Sequence, residues 1–76
     1  MTEIRIPWTT ARRLIARFAE GINIPAIKDI VDTYGLDLAA AKHISDALKD
    51  GDFTLEGTEG HRHVSIRVEV KFIWLP

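Results

Sequence analysis

Gly35 separates two stretches in which apolar residues recur at helical spacing, and it restricts the fold of this chain more than any other residue. Before it, Ile27, Ile30, Val31 and Tyr34 fall on one side of a helix. After it, Leu38, Ala41, Ile44 and Leu48 do the same. Two helices joined this tightly need a positive φ at the joint, and glycine has no Cβ to clash there. Leu36 should then pack back beneath the turn, and Asp37 should cap the second helix. That leaves Ala40, Lys42, His43, Asp46 and Lys49 nearer solvent. Asn23 suits the cap of the first helix, with Pro25 tolerated in its opening turn because an N–H there would have no helical partner. Ala39, Ala40 and Ala41 favour helix and let another backbone approach closely.

The elements flanking this hairpin follow from changes of period. Thr2, Glu3, Ile4, Arg5 and Ile6 alternate, which makes a short strand ending at Pro7. Ala11, Leu14, Ile15, Phe18 and Ile22 form a helical stripe, with Thr9 or Thr10 as the expected cap and Gly21 as the stop. Arg12, Arg13 and Arg17 fall mainly on the other side. Beyond Gly51, Phe53 and Leu55 alternate before a turn at Gly57, Thr58, Glu59 and Gly60. Val64, Ile66, Val68, Val70, Phe72 and Trp74 then share one face of a long strand, opposite Ser65, Arg67, Glu69 and Lys71. The expected assembly is a small single α+β domain covering residues 1–76, in the order β-α-α-α-β-β. Its three helices pack on a three-stranded antiparallel sheet with the longest strand in the middle. That strand should outrun its partners near residues 72–75 and leave an open edge there.

Composition narrows the functional classes. Apolar residues make up 46% of the chain and charged residues 28%, a globular balance. The absence of cysteine excludes disulfides, thiolate metal sites and a cysteine nucleophile, and fits a reducing cytoplasm. No apolar run approaches the roughly 18 residues that span a bilayer. Ten basic against eleven acidic residues give a formal net charge of −1, so any basic surface must be local.

Residues that could carry chemistry are few and scattered. His61 and His63 share a strand face beside the turn, with His43 or Glu59 as a third ligand, but a stable metal site needs three or four converging groups. Ser45, Ser65 and the histidines sit in no nucleophile motif. The five glycines stand singly at element ends and form no phosphate loop. The expectation is a binding protein without catalytic residues, metal or cofactor.

Residues 27–48, IKDIVDTYGLDLAAAKHISDAL, resemble the helical hairpin in the C-terminal domain of the bacterial ribosomal stalk protein. Ile27 and Lys28, then Gly35, Leu36 and Leu38, then Ala41 and Lys42 match that family's pattern, whereas Val31, Ala39 and Ala40 depart from it. The resemblance implies a surface that recruits protein partners through Lys28 and Lys42, beside His43. The same stretch is similar to a helix-turn-helix, and with the following hairpin it is similar to a winged-helix DNA-binding domain with residues 58–63 as the wing. That resemblance implies nucleic-acid contacts from Lys42, Lys49 and Arg62, and Arg12, Arg13 and Arg17 on the first helix form a separate local positive patch suited to phosphates or an acidic protein surface. Asp37, Asp46 and Asp50 on the second helix would repel phosphates, which favours a protein partner for a module that regulates or inhibits a larger assembly. A second protein-binding surface is the overhanging strand, where Phe72 and Trp74, with Ile73 and Leu75, suit strand addition and a homodimer.

Overall fold

Pro7 sets the first boundary. The computed structural model describes residues 2–69 and begins with a strand, β1 (Thr2–Pro7), that passes directly into a helix, α1 (Trp8–Ala19). Pro7 itself is the N-cap residue. No threonine caps the helix, because the Trp8 amide donates to the Arg62 carbonyl at 2.9 Å and helical backbone starts before Thr9. At the far end Ile22 N–H donates to Arg17 O and Gly21 N–H to Phe18 O, with Gly21 at φ 81°. This paired closure satisfies the last carbonyls and turns the chain at once into α2 (Asn23–Tyr34). Asn23 is therefore already helical, and Ile22 holds the cap position in its place.

Gly35 closes α2 at φ 63°, and Leu36 is buried beneath the turn as expected. In α3 (Leu38–Asp50) the Asp37 carboxylate accepts from the Ala40 amide at 2.7 Å, the expected N-cap. The buried face differs from expectation. Leu38 is 62% exposed and Ala40 only 3%, and Ser45 and Ala47 join Ala41, Ile44 and Leu48 inside. The cause is that α3 is packed from two sides, by α1 and α2 and by the sheet. It needs a wide arc of small side chains, which the alanines and Ser45 supply, so the bulky Leu38 at the rim is turned out. Ile22, also expected inside, is exposed where the chain reverses.

The hairpin pairs β2 (Thr54–Glu56) with β3 (His63–Val68), and the sheet order β1-β3-β2 places β3 in the middle as expected. All pairing is antiparallel, with Ile4 opposite Ile66 and Ile6 opposite Val64. Ile6, Val64, Ile66 and Val68 form one apolar face against α1 and α3, and α2 packs across those two helices. The opposite face is open, with Glu3, Arg5, Ser65 and Arg67 on it. Arg17 donates to Asp29 at 3.0 Å and so ties α1 to α2.

These glycines are not equivalent. A Cβ on Gly35 meets nothing, so Gly35→Ala should cost about 1 kcal/mol from backbone strain alone. A Cβ on Gly57 would lie 2.6 Å from the His61 carbonyl oxygen, so Gly57→Ala should cost more. Asp37→Ala should cost about 1 kcal/mol through the lost cap. Urea denaturation of the three variants checks both the sizes and the order, and a Gly57→Ala milder than Gly35→Ala would contradict the tight hairpin tip.

Candidate functional site, the free edge of the central strand

Unequal strand lengths create the site. β2 has three residues and pairs only with residues 63–65, whereas β1 pairs with β3 along its whole length. The shortness of β2 has a local origin. Asp52 N–H is drawn back to Ala47 O at 2.8 Å, closing α3. Phe53 is drawn towards the core, its ring centroid 6.5 Å from that of Trp8, so the ladder starts only at Thr54. Residues 66–68 are thus held straight by β1 on one side. Among the described residues no strand pairs with them on the other.

The first half of α3 stands beside this gap. A groove of about 520 Å³ runs past His43, Asp52, Phe53, Ile66 and Arg67. A hollow of about 280 Å³ joins His43 to Asp37, Ala39, Ala40 and Glu69. His43 is common to both, so the helical hairpin and the strand edge meet there as one surface. Small Ala39 and Ala40 keep the wall low. The lining is acidic: Glu3, Asp37, Asp52, Glu56 and Glu69 stand against Arg67 and His43.

Of the residues implicated by sequence, His43 lines this groove, and Lys42 is exposed on the neighbouring flank of α3. Lys28 is exposed on α2, one turn from Ile24, an apolar residue 82% exposed. Phe72 and Trp74, with Ile73 and Leu75, lie outside the described residues. The basic set is dispersed. Arg62 is anchored at the start of α1 by its bond to Trp8, whereas Lys49 sits 5.2 Å from the Phe18 ring near the end of α1. Ten residues of helix separate those anchor points by about 15 Å. Arg12 and Arg13 are exposed, but Arg17 is committed to Asp29. A second groove of about 580 Å³ lies between the hairpin tip and α1, against Trp8, His61 and Arg62.

The remaining chemical candidates do not converge. Ser45 is buried in the core with its hydroxyl unpartnered, and His63 Nε2 lies 3.5 Å from Glu56 Oε2 without a hydrogen bond. Among the described residues no three histidine or carboxylate groups are grouped to hold a metal ion. No helix among them is long and apolar enough to cross a membrane. Sequence reasoning placed the open edge near residues 72–75, and the gap begins earlier, at Ile66. The signal for it is the short run between Gly51 and Gly57.

On the open sheet face the Ser65 hydroxyl donates to Glu3, and the Arg5 guanidinium lies 3.4 Å from the same carboxylate. Chiefly through that hydroxyl, and against the opposing effect of desolvation, the Glu3 carboxyl is held below its ordinary value. A depressed folded-state pKa adds stability above the unfolded value, and this is lost as pH falls through the folded one. Ser65→Ala should raise the Glu3 pKa towards the ordinary carboxylate value, read by NMR titration of its side-chain carbon. An unchanged pKa would leave Arg5 as the controlling partner.

No protein-family model matches the chain, and no curated protein or solved structure is similar enough to count as a match.

Proposed function

We propose that this chain is a protein-binding module that takes an extended segment of its partner as an added strand along the free edge of β3, with α3 as the side wall. One observation carries the reading: residues 66–68 are pre-ordered by β1 and open on the groove side. Main-chain hydrogen bonds to such an edge supply affinity, and side chains at alternate positions supply selectivity. Because β1 already fixes this strand, little ordering cost falls on the module. The acidic lining argues against phosphates at this surface and favours a neutral or cationic segment. Exposed Lys28 and Lys42 leave room for a second contact on the helical hairpin.

Titrating the isotopically labelled protein with extended peptides selected from a displayed library tests this. Binders should shift the amides of residues 66–68 and of His43. Shifts confined to α1 or to the hairpin tip would sink the edge reading. Duplex DNA at low salt should give no retardation, and a complex that weakens steeply with added salt would favour the nucleic-acid function in its place.

A further inference from the structure

We infer that the outer edge of β1 pairs with the same edge of a second copy of the chain, antiparallel about Ile4, so that the two sheets join into one. This pairing is independent of the edge-binding reading, since β1 and the open side of residues 66–68 lie on opposite sides of β3. Three observations support it. First, β1 is an edge strand held straight by β3 along its whole length, and among the described residues no strand covers its outer side. Second, its apolar side is incompletely covered. Ile6, next to the start of α1, is fully buried, whereas Ile4 is half-buried and Thr2 is exposed. A second β1 would set one Ile4 beside the other and shield both. Third, the charges are self-complementary. Glu3 and Arg5 flank Ile4 symmetrically, so strands crossed antiparallel at Ile4 put each Glu3 opposite the partner's Arg5.

The register follows from pleat and charge. Side-chain direction and main-chain hydrogen bonds both repeat every second residue, so the paired positions must add to an even number. With Ile4 opposite Ile4, Thr2 meets Ile6 and Glu3 meets Arg5. Sliding one way puts Glu3 opposite Glu3, and sliding the other way puts Arg5 opposite Arg5, like charges in both cases. Longer slides leave too few residues paired. Pro7, which has no N–H to donate, lies outside the paired residues 2–6. Glu3, Arg5 and Pro7 thus guard this edge against unrelated strands and still admit its own copy. Exposed ion pairs add little affinity, and Arg5 already lies 3.4 Å from Glu3 of its own chain. The charges therefore fix the register, whereas main-chain bonds and the shielding of Ile4 supply the affinity.

Light scattering of the full chain from micromolar to millimolar concentration should show the mass rising from 8.6 kDa towards twice that value. Over the same range the amide signals of residues 2–6 should shift. Glu3→Arg and Arg5→Glu should each raise the dimer dissociation constant about tenfold, with an unchanged far-ultraviolet circular dichroism spectrum. An equimolar mixture of the two variants should regain wild-type association, because every facing pair then carries opposite charges. Mixing cannot mend a defect within one chain, so this arm separates pairing across copies from damage to the fold. A wild-type monomer throughout the range overturns the inference. A dimer whose concentration-dependent shifts fall outside residues 2–6 does so too, and a mixture as weak as its components overturns the pairing at Ile4. Peptides that shift residues 66–68 would preserve the edge reading in each of these cases.

Discussion

The pairing of β3 with β1 is the constraint on which the rest of the molecule depends. It joins the two ends of the described chain, aligns Ile4 and Ile6 with Ile66 and Val64, and makes the apolar sheet surface on which α1 and α3 rest. The helical elements are local and can be specified by their own caps. The sheet is not, because β1 meets its partner only after the three helices have been laid between them. Closing so long a loop costs entropy before any contact is gained, and the compensation comes from burying Ile6, Val64, Ile66 and Val68 together.

Much of the fold was legible because the local signals agreed with it. Gly35 and Asp37 do in space what their residue types require, one by a positive φ and the other by a carboxylate on an orphan amide. The failures have a common origin. Thr9, Thr10 and Asn23 are good caps by type, but the competing partners, the Arg62 carbonyl and the Gly21 closure, come from elsewhere in the backbone. Leu38 and Ala40 exchanged expected places because periodicity assigns one face to a helix, and α3 is contacted on two. A pattern of period 3.6 carries no information about how many neighbours a helix has.

The site was half legible. That the strand beginning near Val64 would lie in the middle of the sheet was readable from its alternation, whereas the overhang expected near residues 72–75 lies outside the described residues. That His43 would stand beside this edge was not readable, because it depends on the angle at which α3 crosses the sheet. Sequence treated the helical hairpin and the strand at residues 72–75 as two candidate surfaces; the fold brings the hairpin, at His43, beside Ile66, Arg67 and Glu69, and residues 72–75 lie outside the described ones. The basic residues show the reverse. Arg12, Arg13, Arg17, Lys49 and Arg62 look like a set in the sequence, but Arg17 is paired with Asp29, and Lys49 lies over Phe18 at the opposite end of α1 from Arg62.

Charge balance acquires a meaning from this arrangement that a net value of −1 does not convey. A naked strand edge attracts any extended chain, and natural edges are guarded by charge or proline. β1 is guarded in that way by Glu3, Arg5 and Pro7. The inner edge of β3 has apolar Ile66 and Val68 flanking Arg67, and its protection comes from the carboxylates around the groove. Such a ring does not close the edge. On the proposed edge-binding reading, the same carboxylates that limit indiscriminate pairing would exclude acidic strands and admit neutral or cationic ones.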